Sequence, residues 1–119
     1  MNVMPNAHRA IISERKILEY LLNPDHPDGS PKAAFFAAMG YGPANWRALR
    51  RSLEVVAYTG QVRAVTATRH GQKYKIDGVM SVPRGGTAKI TTIWIIDTDA
   101  VEPRFVTAYP AEERDDART

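Results

Sequence analysis

The chain has 119 residues, long enough for one domain with a real core and too short for two. Hydrophobic residues make up 44% and charged residues 24%, the balance of an ordinary globular domain, and the absence of cysteine excludes disulfides and thiolate-bound zinc. The formal charge is +3; residues 111–119 hold Glu112, Glu113, Asp115 and Asp116 against Arg114 and Arg118, a net −2 that leaves +5 on residues 1–110. That balance permits an RNA, DNA or acidic-protein partner without demanding one. No apolar run approaches a membrane span, and "MNVMPNAHRAII" lacks the apolar block and cleavage site of a signal peptide. No membrane association and a cytoplasmic location are therefore expected.

In chain order, Ser13 before "ERKILEYLL" reads as a helix N-cap, with Ile17, Leu18, Leu21 and Leu22 as one apolar stripe ended by Asn23-Pro24. The segment "NPDHPDGSP" is a loop. Ser30-Pro31 then reads as cap and first position of a short helix that Gly40 stops. A third helix opens at Pro43 and places Trp46, Leu49, Leu53 and Val56 on one buried face.

From Val62 the hydrophobic period falls to two. A His70-Gly71 turn pairs Thr68 with Lys73, Ala67 with Tyr74, Thr66 with Lys75 and Val65 with Ile76. Val65, Ala67, Tyr74 and Ile76 then point inward. Two further strands span residues 88–97 and 104–109. The expected fold is α+β, with N-terminal helices packed on one face of a four-stranded antiparallel sheet. One domain covers residues 1–110, and the charged tail 111–119 has no apolar face and is expected to be disordered.

The face left bare by the helices is where chemistry would sit. If Ile93, Ile95, Val106 and Ala108 point inward, the open face collects Lys73, Lys75, Thr92, Trp94, Thr107 and Tyr109. Cations for phosphates and rings for bases suit a single-stranded nucleic acid. The same threonines and tyrosine are also good strand formers, which is the structural alternative.

Three stretches together resemble a known family. "LLNPDHPDGSPKAAFF", followed by "GQKYKIDG" and "TTIWIIDTDAVEPRFVTAYP", is similar to a bacterial domain family of unknown function whose strongest motif is the closing "VTAYP". That family resembles the barnase, EndoU, colicin and RelE group of ribonuclease toxins. The resemblance implies helices backing a four-stranded sheet, metal-independent RNA cleavage on its exposed face, and a small cognate antitoxin. Carried onto this chain, it implies functional roles for Lys32, Tyr74, Thr92, Thr107 and Tyr109, although the hairpin register sends Tyr74 into the core.

Metal-free cleavage needs a base for the 2′-hydroxyl, an acid for the leaving oxygen and donors for the phosphate. Lys32, Thr92, Thr107 and Tyr109 are the catalytic candidates, and His26, Lys73, Lys75 and Trp94 the substrate-binding ones. Histidine is the side chain type suited to such proton transfer, and His26 and His70 both also read as exposed loop histidines. No residue stands out as the base. "PRGGTAK" lacks the ending of a phosphate loop, and no carboxylate–histidine spacing marks a metal site, so no cofactor is expected. The reading is a metal-independent ribonuclease-like toxin domain of a toxin–antitoxin or polymorphic toxin system, with RNA and an antitoxin as partners. The alternative is a non-catalytic protein- or nucleic-acid-binding module on the same fold.

Overall fold

In the computed structural model, which describes residues 3–111, the Ser13 hydroxyl accepts the Lys16 N–H at 3.1 Å and so caps α1, Glu14–Lys16. This helix runs directly into a π-helical turn, Ile17–Leu21, which buries Ile17 and Leu21. Helix α2, Ser30–Ala38, starts one residue earlier than the sequence implies, with Gly29 at the cap. It ends before Gly40, whose φ of +101° few other residues tolerate. A 3₁₀ turn, Pro43–Asn45, leads into α3, Trp46–Thr59, which buries the expected Trp46, Leu49, Leu53 and Val56.

Four strands follow: β1 Gln61–Thr68, β2 Gly71–Ser81, β3 Thr87–Asp97 and β4 Arg104–Pro110. They form one antiparallel sheet in the order β1-β2-β3-β4, with α3 packed on β2 and β3 and α2 against β4. The α+β architecture is thus the expected one. Gly78 lies where α3 crosses β2; a Cβ there would stand 2.8 Å from a Val56 methyl. The tail expected to be disordered lies, from residue 112, outside the described residues. Among the described residues, no helix is long and apolar enough to cross a membrane.

The hairpin register differs from the expected one. Thr68 pairs with Gly71 and Thr66 with Lys73, so Arg69-His70 forms the turn. The Thr68 hydroxyl oxygen accepts the N–H groups of His70 and Gly71, both at 3.1 Å, and this local bonding closes the turn one residue early. Each partner moves by two, an even step, so Tyr74 and Ile76 still face the helices and Lys73 and Lys75 still face away.

The expected facing of β3 is corrected. Ile76 pairs with Thr92 and Tyr74 with Trp94, and directly opposed residues share a face. Thr92 and Trp94 therefore lie on the helix side, both 0% exposed, and not on the open face. The physical reason is that an indole has more apolar surface to bury than an isoleucine, and here its polar atom is satisfied as well. The Trp94 indole N–H donates to the Thr92 hydroxyl oxygen at 2.8 Å, and that hydroxyl donates to the Ile76 carbonyl at 3.0 Å. Thr92 is the core's hydrogen-bond adaptor.

Two bulges interrupt the alternation. Arg63 is the extra residue between Val62, opposite Ile76, and Ala64, opposite Lys75. In β4 the register slips at Val106, between Thr107 opposite Ile93 and Phe105 opposite Trp94. Hence Phe105 and Ala108, of opposite parity, are both buried, while Val106, expected inward, is only half-buried.

Candidate active site on the open sheet face

Strand registry builds the bare face in rows. One row runs Ala64, Lys75, Ile93, Thr107 across the four strands; the next runs Gln61, Asp77, Thr91, Tyr109. A depression of about 570 Å³ opens over these rows, lined by Arg63, Lys75, Asp77, Thr91 and Tyr109 among others. The Asp77 carboxylate is one of its lining groups. One oxygen accepts the Thr91 hydroxyl at 2.7 Å, and the other accepts Arg63 Nε–H at 3.0 Å. The bulge at Arg63 is what lets the guanidinium meet a carboxylate on this side.

A second cluster forms around Tyr20, in the π-helical turn. Its hydroxyl is 2.8 Å from the Thr107 hydroxyl. Lys16 and Lys32 place their ammonium groups 5.1 and 5.7 Å from the centre of its ring, and the His26 ring meets it edge-on at 5.1 Å. His26 Nδ1 accepts the N–H groups of Asp28 and Gly29, both at 3.0 Å. That assigns the neutral ring its proton on Nε2, as a donor rather than a base.

Of the residues expected to form one site, Lys75 and Tyr109 line the depression, and Lys73 stands on the same face two residues from Lys75. Thr107 is half-buried beside Tyr109 and touches Tyr20. Lys32 and His26 join Tyr20 instead of the depression. Thr92 and Trp94 take no part in either cluster, being buried. Sequence reasoning missed Arg63, Asp77, Thr91 and Tyr20. Asp77 was within reach, since it alternates with Lys73 and Lys75. Arg63 was hidden by the bulge, and Tyr20 by a contact spanning 87 residues. Among the described residues, no group of three or more His, Asp or Glu converges as metal ligands would.

These features define a class: α+β domains whose antiparallel sheet is covered on one face and bare on the other, with a charged depression on the bare side. The chain belongs to the family described as domain of unknown function DUF6883, which it matches over residues 3–112. It is similar in fold to a chain of a contact-dependent growth inhibition toxin–immunity protein complex from Klebsiella pneumoniae 342. The TM-score is 0.69 at 12% identity, over 90% of this chain and 97% of that one. No curated protein matches the sequence.

Proposed function

We propose that the chain is a metal-independent ribonuclease-like toxin domain of a toxin–antitoxin or polymorphic toxin system, acting on cytoplasmic RNA and restrained by a small cognate protein. The observation that carries this reading is the Asp77 carboxylate, oriented by Arg63 and Thr91, in an open depression that also holds Lys75 and Tyr109. The similar fold from a toxin–immunity complex supports the class of system.

In this reading Asp77 is the base that the sequence left unnamed. A carboxylate accepts about four hydrogen bonds, so two can be used by Arg63 and Thr91 while another lone pair takes the 2′-hydroxyl proton. The freed 2′-oxygen attacks phosphorus, and the P–O5′ bond breaks. Lys75 and Arg63 stabilise the charge that builds on the phosphate, with Lys73 and the Thr107 hydroxyl as further donors. The Tyr109 phenol gives its proton to the leaving 5′-oxygen. The products are a 2′,3′-cyclic phosphate and a 5′-hydroxyl end.

Inducible expression in bacteria tests this. Growth arrest with RNA fragments ending in cyclic phosphate is expected, with Asp77→Asn relieving both. Continued growth with intact RNA during full expression would refute it. A binding-only reading has one observation in its favour: the similar solved chain comes from a complex of two proteins, for which a bare sheet face is a ready docking surface. A wild-type chain that captures RNA or a protein on this face and cleaves nothing would support that alternative.

A further inference from the structure

Lys16, Lys32 and His26 around Tyr20 take no part in the proposed cleavage step, yet gathering cations there has a cost. Lys16 and Lys32 sit over one ring and so within about 11 Å of each other, close to the screening length of physiological salt. Among the described residues, neither is within ion-pairing distance of a carboxylate. Glu19, three residues from Lys16, is held by Arg15 at 3.3 Å, and Lys32 reaches only the Asp28 carbonyl, at 3.4 Å. The loop before α2 is fixed by its own side chains: Asn23 Oδ1 accepts the Asp25 N–H at 2.9 Å, and His26 Nδ1 accepts its two amides. This leaves His26 Nε2–H as a third donor beside the lysines. Ser13, Arg15, Lys16, Glu19, Tyr20 and His26 line a depression of about 310 Å³.

We infer that Lys16, Lys32 and His26 form a second phosphate-binding subsite around Tyr20, which takes the backbone of an RNA strand leaving the Asp77 depression across Thr107. The inference rests on the ribonuclease reading and adds the path of the substrate. Thr107 is the junction, because it shares a row with Lys75 and a hydrogen bond with Tyr20. Two strand spacings put the β2 and β4 backbones in that row roughly 10 Å apart, so the two subsites engage different phosphates of one strand.

The test uses a 2′-O-methyl octanucleotide, which has no 2′-hydroxyl to attack, and measures its affinity for the full chain across a salt series. Inorganic phosphate, followed by NMR, forms a second arm. Replacing both lysines, Lys16→Gln with Lys32→Gln, should lower octanucleotide affinity about three- to tenfold. The slope of log K against log salt should shrink by roughly 0.7 for each phosphate that is no longer neutralised. Lys16→Arg with Lys32→Arg should restore most of both. Phosphate should shift the Lys16, Lys32 and His26 side-chain signals of the wild type. An unchanged salt slope in the glutamine variant, with no phosphate-induced shift at these residues, would overturn the subsite even if RNA is cleaved. Phosphate shifts at these residues in a chain that binds no octanucleotide would keep the anion site and remove the RNA from it, so the two readings fail separately.

Discussion

At the residue scale, two threonines that look alike in the sequence do different work. Thr92 is sealed beneath the helices and accepts the buried Trp94 N–H. Thr92→Val keeps the shape and β propensity but orphans that donor, so it should cost about 1–3 kcal/mol of unfolding free energy. A denaturant titration showing less than about half a kcal/mol of loss would mean the indole finds another acceptor. Thr107 lies on the other side, in one row with Lys75. A phosphate donor in a closed site is worth about a hundred- to a thousandfold in rate, and a partly exposed one contributes less. Thr107→Val should therefore slow RNA cleavage at least about tenfold while the protein stays folded. Tyr20→Phe serves as its companion: it removes the hydrogen bond but keeps the Thr107 hydroxyl, so a smaller loss is expected. Equal losses in both variants would make orientation by Tyr20 the whole effect.

At the element scale, β3 and β4 are clasped by Arg104, whose Nε–H and Nη2–H donate to the two Asp97 carboxylate oxygens at 2.7 and 3.1 Å. That hydrogen bonding, helped by the charges of Arg104 and His70 and opposed by desolvation, holds the Asp97 carboxyl below its usual value near 3.8. A lowered folded-state value means the clasp contributes fully above the unfolded value and is lost as pH falls through the folded one. The stability difference between wild type and Asp97→Asn should thus be present at neutral pH, shrink below about pH 4, and close in stronger acid. Thermal melts with the same gap at every pH would contradict this.

The elements themselves were legible in the sequence. The 3.6-residue stripe of α3, the cap at Ser13 and the period-two strands all rest on local chemistry. The facing of β3 was not, since Thr92, Ile93, Trp94 and Ile95 alternate equally well either way. Only the pairing of Thr92 with Ile76 and of Trp94 with Tyr74 decides it. The candidate site was half legible for the same reason. Lys73, Lys75, Thr107 and Tyr109 follow from alternation, whereas Arg63 depends on a bulge and the Tyr20 contact on tertiary packing.

At the scale of the whole molecule, the fold separates two tasks. Most apolar packing lies on the helix side, where α3 meets β2 and β3, while the opposite face carries Arg63, Lys73, Lys75, Asp77 and Lys89 beside Ile93 and the buried Ile95. This matches the +5 charge of residues 1–110, which permits a polyanionic partner. In the proposed function this face cleaves RNA with Asp77 as base. The most direct measurement is single-turnover cleavage of a short RNA by the purified chain in excess chelator, compared with Asp77→Asn. Cleavage should persist in chelator, and the variant should lose about a hundredfold or more in rate, within the range of a general base. Equal rates for the two proteins would remove Asp77 from the chemistry, and no cleavage by the wild type would remove the enzyme.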